Sequence, residues 1–364
     1  MMKKLIVLAM ATILLLSTLL ISCAPKKQTT LVQPSPTTIA TTAPTTAPAA
    51  TPAATPVATP TETQQPAAFT GKSPFDNTQI SPEDEKKRPI AVMIDNLNVA
   101  RPQSGVSDAE IVYEMPVEGG ITRLMLVFQH ALPGTIGPVR SARPCFLDRA
   151  LEFNAIYVHC GGSALALTQL KTSSLGNLDQ MTAGGNTFRR ATHRTAPHNV
   201  YTTIENLRKA AADRKYEKGT STNPLFLFND SDVLYPELNA KKTNILIDNG
   251  YKITYDYNSK TNSYLRSVGN APYVDETTKK QIDVKNIILQ YVDTKMDGVY
   301  TVVASIDKGT GFFVSGGKQI PITWEKKDRN SITVFRNEKG EEIKLNTGKT
   351  WIHVLTKSNK VSFE

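Results

Sequence analysis

Cysteine is nearly absent from this sequence: three in 364 residues, too few to staple a small domain, which excludes a disulfide scaffold. Aromatic residues make up 7% of the chain and no basic block is interleaved with them, so the signature of a nucleic-acid surface is missing. Histidine is scarce, at five, and the one His-x4-His pair off a helix, His193 and His198, lacks a recognised metal-ligand spacing even with His159 added. Long hydrophobic runs are confined to the first 22 residues, and no fixed-period repeat appears outside a Pro-rich stretch. Acidic residues are outnumbered, 33 against 42 basic ones, giving a formal charge of +9, or +7 once Lys3 and Lys4 leave with a leader. That mild excess favours anionic partners in general, such as teichoic acids or anionic lipid heads, and carries no information about fold.

What is present begins with Lys3-Lys4, an apolar run from Leu5 to Leu20, and Leu20-Ile21-Ser22-Cys23. This reads as a secretory leader over residues 1–22 with a small residue before the cut, and the run is too one-sided and short for a spanning helix. A cysteine directly after that small residue resembles the lipobox of bacterial lipoproteins. Cys23 is therefore the expected lipidation site and new N-terminus, and multiple acyl chains would hold the protein on the membrane at about 0.8 kcal/mol per buried CH₂. The expected location is the extracytoplasmic face of the cell membrane. From residue 23 to 72 the chain is Thr, Pro, Ala and Gln, with prolines at 48, 52, 56 and 60, a composition that cannot build a core. In polyproline II at ~3.1 Å per residue, such a tether reaches on the order of 100 Å.

Beyond it, Ile90–Ile94, Ile111–Glu114, Leu124–Phe128 and Ala155–His159 are short apolar runs bounded by Gly, Pro or acidic residues, the pattern of buried strands. Cys145–Phe153, Ala164–Leu170 and Thr203–Arg214 have helical periodicity, the last opened by Thr202-Thr203-Ile204-Glu205, read as a capping box. Alternating strands and helices predict an α/β (or α+β) domain over 73–235. After Tyr235 the segments 244–257, 286–292, 300–306, 311–324, 331–335 and 350–356 are β-rich, with Asn-Gly, Asp-Gly and Gly-Gly at the joints. They predict a smaller, mostly antiparallel β-rich domain, or an extension of the first sheet, over 236–364.

Chemistry concentrates in three places. Gly137-Pro138-Val139-Arg140-Ser141-Ala142-Arg143-Pro144 puts two arginines on a Gly/Pro-bounded loop leading into a helix. Guanidinium forks and free helix N–H groups favour the same ligand, an anion. A helix of about 13 Å and a returning strand of about 20 Å should bring this loop to the edge that holds His159-Cys160-Gly161-Gly162-Ser163, beyond the strand ends where α/β sheets bind ligands. The third place is His193-Arg194-Thr195-Ala196-Pro197-His198-Asn199. Each piece also has a plainer use: the arginines paired with Glu114, Glu118 or Asp148, Ser163 as a helix cap, His159 satisfying buried backbone groups. Cys145 at the helix start and Cys160 at the strand end are either bridged, which requires Cα atoms within about 7 Å, or two separately packed thiols. Nothing fixes Cys160 beside a histidine as a nucleophile.

The residues Gly137-Pro-Val-Arg-Ser-Ala-Arg143, His159 with Gly161-Gly-Ser163, Glu118-Gly-Gly-Ile-Thr-Arg123, Ala196-Pro-His-Asn199 and Thr350-Trp-Ile are similar to those of the YerB-type lipoprotein family of Gram-positive bacteria, over nearly all of the globular region. The resemblance implies a lipoprotein leader, an α/β-like domain and a smaller β-rich domain. It implies no reaction. Cys145 and Cys160 depart from the aromatic and apolar residues that the family pattern leads one to expect.

Two functions follow. One is a membrane-anchored, extracytoplasmic binding lipoprotein that holds an anionic or polar envelope component, a cell-wall polymer or an envelope protein through Arg123, Arg140, Arg143, His159, Arg194 and His198. The alternative is an extracytoplasmic hydrolase or transferase acting on wall glycan, peptide or phosphodiester polymer, with Glu114 or Glu118 as general base, His159 or His198 as general acid, and Arg140 and Arg143 stabilising charge. The first is preferred, because triad, metal and paired-carboxylate signatures are missing. Neither calls for a cofactor, a metal or nucleic acid.

Overall fold

The structure, a computed structural model, describes residues 71–218 and 226–364; the leader, Cys23 and the tether up to residue 70 lie outside the described residues. Among those described, no helix is long and apolar enough to cross a membrane. The described chain starts with a small turn in which Lys72 bridges Gln79 and Phe75 enters the core.

The Ile90–Ile94 run forms strand β1, with every residue buried. Period-2 alternation sends its side chains to two different cores: Ala91 and Met93 pack with Phe146, Leu147 and Ala150, while Ile90, Val92 and Ile94 pack with Ile204 and Leu207. Burial on both faces is why this strand reads as a continuous apolar run. The same holds for β2 (Ile111–Val117), β3 (Ile121–Phe128) and β4 (Ile156–His159). Between β3 and β4 lies helix α1 (Pro144–Glu152), with proline at its first turn, where no N–H is needed. Helix α2 (Ala164–Lys171) is capped by the Ser163 hydroxyl and leads into β5 (Gly176–Asp179), so β4-α2-β5 is a βαβ unit with parallel strands. Helix α3 (Ile204–Asp213) is capped by Thr203, which accepts from the Asn206 N–H. This places the cap one residue later than the capping-box reading, because the Thr202 hydroxyl donates instead to the Thr187 carbonyl, 2.7 Å away.

After residue 235 the structure is strand-rich and mostly antiparallel. β6 (Lys242–Ile247), β7 (Tyr251–Asn258) and β8 (Ser263–Val268) form consecutive antiparallel pairs. β9 (Asn286–Val292), β10 (Lys308–Ser315), β11 (Lys318–Glu325) and β12 (Val334–Arg336) form a second antiparallel series. β13 (Thr350–Thr356) runs parallel to both β9 and β2, and β14 (Lys360–Phe363) closes against β6. The result is one ten-stranded sheet, ordered β12-β11-β10-β9-β13-β2-β3-β1-β4-β5, and a six-stranded sheet built on β8-β7-β6-β14. Helices α1 and α2 contribute to the core on one face of the large sheet. The core on its other face takes in α3 together with apolar residues of β6, β7 and β8.

Candidate functional site

β1 and β4 run side by side only from Ile90/Ile156 to Val92/Val158. Beyond that point they part, and the loop carrying the two arginines is wedged between their C-terminal ends. The Asp95 N–H donates to the Pro138 carbonyl (2.9 Å), Arg140 N–H to Met93 (2.9 Å), Cys160 N–H to Arg140 (3.0 Å) and Ala142 N–H to Gly161 (2.9 Å). The crevice at the strand ends of an α/β sheet is thus lined by the loop's own backbone. Gly137 is required here because a Cβ would lie 2.6 Å from the Tyr201 ring and 2.8 Å from the Val200 carbonyl oxygen, and Gly161 because its φ is +61°.

This wedge carries a crowd of positive charge. Arg140, 21% exposed at its side chain, forms an ion pair with Asp95 (Nε to Oδ2, 3.0 Å). The same Asp95 oxygen meets His198 Nδ1 at 2.7 Å. Arg143 is held in a two-point pair by Glu118, Nε lying 2.9 Å from Oε2, and also donates to the Ala142 carbonyl. Burial pushes the Glu118 carboxyl up, but the Arg143 hydrogen bonds outweigh it and hold the group below its ordinary range. Arg123, on β3 behind the loop, is buried and donates to the Ser141 carbonyl at 2.9 Å. Burial, and after it the neighbouring Arg143, pull its guanidinium down to about 10. Two of the three arginines are therefore paired one to one with carboxylates and Arg123 is not, and among the described residues the Arg140 side chain makes its ion pair but no hydrogen bond. Arg190 stands nearby, donating to Asn199 (2.8 Å) and reaching Gln180, the residue that accepts the Cys160 thiol's hydrogen bond.

The other candidates lie elsewhere. Glu114 is sealed in the core. It accepts from Arg266 (3.0 Å), Thr122 (2.8 Å), Asn96 and Trp351. Burial pushes its carboxyl up, and the Arg266 charge with the Thr122 hydrogen bond outweighs that and holds it low. His159 is fully buried, its ring nitrogens meeting the Gly161 carbonyl (2.7 Å) and Asn177 Oδ1 (2.8 Å), so it shapes the Gly-Gly turn. Arg194 belongs to a second cluster: it donates to the Val99 and Pro102 carbonyls and to Glu276, which also takes His193, Ser104 and Tyr201. The structure therefore brings together Arg123, Arg140, Arg143 and His198 with Glu118, and separates Glu114, His159 and Arg194 from them. Cys145 and Cys160 are free thiols. Burial pushes Cys145 up to about 12 and also raises Cys160, against the pull of Arg190, which disfavours a thiolate nucleophile at either position. Among the described residues no three His, Cys, Asp or Glu side chains are grouped to hold a metal.

Sequence reasoning missed Asp95, the carboxylate that joins Arg140 to His198. Its one signal was position: it follows the last apolar residue of β1, at the carboxyl end of a buried strand, where functional side chains of α/β sheets gather.

Residues 75–217 match the model described as the "Protein of unknown function (DUF3048) N-terminal domain", and residues 243–352 match that of its C-terminal domain. The Bacillus subtilis (strain 168) protein named "Putative lipoprotein YerB" is 32% identical over 292 residues, spanning 78% of this chain and 86% of that protein. The crystal structure of the YerB protein from Bacillus subtilis is similar with a TM-score of 0.72 at 29% identity, covering 80% of this chain and 99% of that one.

Proposed function

We propose, from the premise that this chain belongs to the YerB-type lipoprotein family that carries the two DUF3048 domains, that it is an extracytoplasmic lipoprotein held on the membrane by lipid at Cys23. Its folded part binds an anionic envelope component, such as a phosphate-bearing wall polymer, at the wedge between β1 and β4. The observation that carries this reading is the unequal pairing there: Arg140 pairs with Asp95 and Arg143 with Glu118, the buried Arg123 beside them donates to the Ser141 carbonyl and forms no ion pair among the described residues, and Arg140 has spare donors at the surface. An anion supplies the missing countercharge, and a planar fork is suited to its oxygens. Titration calorimetry with inorganic phosphate, and then with a glycerol-phosphate oligomer, tests it. Binding that weakens about tenfold or more in Arg140→Gln, with unchanged melting temperature, is expected; affinity indifferent to Arg140 would overturn it. For the anchor, Cys23→Ala should move the protein from membrane to medium.

One contact favours the second reading. Asp95 fixes His198 at 2.7 Å, the arrangement that orients an imidazole for proton transfer. In an envelope hydrolase or transferase His198 would be the general acid or base, with Asp95 rather than the buried Glu114 behind it.

A further inference from the structure

Next to the arginine wedge is a cavity of about 340 Å³, in the lower part of the ~300–1,000 Å³ range of ligand sites. Its floor is the start of α1 and α2, and its roof is the exposed hairpin formed by Thr294–Asp297 and Tyr300–Val303. Arg143 stands at the boundary, lining the cavity while it pairs with Glu118, and its guanidinium carbon lies 5.9 Å from the centre of the Tyr300 ring.

Apart from Asp297, whose carboxylate lies at the exposed turn of the roof hairpin, the polar side chains of the wall are largely occupied. Asp148 takes Ser305 (2.5 Å) and Arg329 (2.7 Å), Gln169 takes Arg329 (3.1 Å), and the Ser163 hydroxyl caps α2. What they leave for a ligand is apolar: Cys145, Leu165, Tyr300, Val303 and Ile306. Leu165, Tyr300 and Ile306 are 52%, 42% and 39% exposed, a cluster of large apolar groups at a cavity mouth rather than singly scattered ones. A purely ionic ligand would use none of this surface, and a purely apolar one would leave the arginines unused.

We propose that this cavity takes the apolar part of an anionic amphiphile whose phosphate-like head is held by Arg143 and its neighbours. The inference rests on the anion reading above and names the ligand class for that site. Head and tail contribute separately, so a chain-length series of alkyl phosphates below their critical micelle concentrations separates them. The protein used is the processed chain carrying Cys23→Ala, which leaves everything after residue 23 intact. Affinity should rise by up to about fourfold per methylene buried, making octyl phosphate at least tenfold tighter than inorganic phosphate and far tighter than octanol. In the doubly substituted Leu165→Gln/Ile306→Gln, at two exposed positions whose change spares the core, the chain-length gain should vanish while inorganic phosphate binds as before. Arg143→Gln should weaken both phosphates. Octyl phosphate no tighter than inorganic phosphate, a gain that survives the double substitution, or octanol bound as tightly as octyl phosphate would each overturn the amphiphile while leaving the anion reading standing. Loss of all phosphate binding would overturn both.

Discussion

Arg140 and His198 meet on a single oxygen of Asp95, so this one carboxylate decides between the two functional readings. In the binding reading Asp95 only moderates the local positive charge. Asp95→Asn should then leave phosphate affinity unchanged or raise it a few-fold, at a stability cost of about 1–3 kcal/mol for the buried groups that lose a partner. In the catalytic reading the same change frees the His198 ring and abolishes turnover of any wall polymer found to be cleaved. Calorimetry alongside a product assay separates the outcomes. Glu118 and Arg143 form a similar pair, with the arginine less exposed and the carboxylate more so, and the plainer sequence reading of a loop arginine held by a carboxylate describes them well. A second residue-scale consequence concerns pH. Burial, opposed by Glu114, holds the core residue His353 down to about 3, so it stays neutral in the folded protein, and its Nε2 meets the Tyr255 hydroxyl at 2.9 Å. An unfolded histidine titrates near 6.5. Between those values the unfolded chain binds a proton that the folded one does not, so stability is fully present above about 6.5 and falls as pH drops toward 3. Denaturant midpoints of the wild type should therefore decline more steeply over that window than those of His353→Gln; parallel curves would show that His353 is not the group responsible.

The loop from Gly137 to Arg143 is the element on which the site depends, since it fills the gap where β1 and β4 diverge. Its seat has no spare volume. Gly137→Ala would drive a methyl against the Tyr201 ring and the Val200 carbonyl, an overpacking expected to cost about 1–3 kcal/mol. It should also weaken phosphate binding by displacing Arg140; a thermal melt and a phosphate titration indistinguishable from wild type would refute the wedge. Much of this element was legible in the sequence. Glycine and proline bounded it, and the lengths of α1 and β4 required the chain to return to the same edge as Gly161-Gly162, where Ala142 and Gly162 do pair. The strands were legible because burial on both faces writes them as unbroken apolar runs. Partnerships across the sheet were not, because no local period encodes them. Asp95 and His198 are 103 positions apart, and Glu114 and Arg266 are 152 apart. For that reason Glu114 looked like an available base on a strand and proved to be the centre of a buried network. His159 was open both to a ligand's role and to satisfying buried backbone groups, and its ring meets the Gly161 carbonyl of the turn beyond.

Across the whole folded part, the late strand β13 lies between β2 and β9 and runs parallel to both, so the large sheet has no complete centre until residues 350–356 have been placed. The buried ions reinforce this dependence. Arg266 of β8 pairs with Glu114 of β2 while its guanidinium carbon lies 4.3 Å from the centre of the Trp351 ring, and on the other face Lys326 reaches Glu152 of α1 at 3.2 Å. Removing one partner of such a buried pair typically costs about 3–5 kcal/mol, because the other charge is left without compensation. Glu114→Gln should therefore lower stability throughout the folded part rather than loosen one region of it. Probes on either side of residue 235 can check this. The two tryptophans, Trp324 and Trp351, are 2% and 0% exposed and report the late strands by fluorescence. Alkylation of the buried Cys145 thiol reports opening around α1. If the halves unfold as one, both probes and the far-ultraviolet circular dichroism will share a denaturant midpoint, in the wild type and, shifted lower together, in Glu114→Gln. A fragment ending before Thr350 should fail to fold, because β2 and β9 would each lose the strand between them. Separate midpoints for Cys145 and the tryptophans, or a stably folded fragment of residues 73–235, would show instead that the first half holds its own core and that β13 is only added to it.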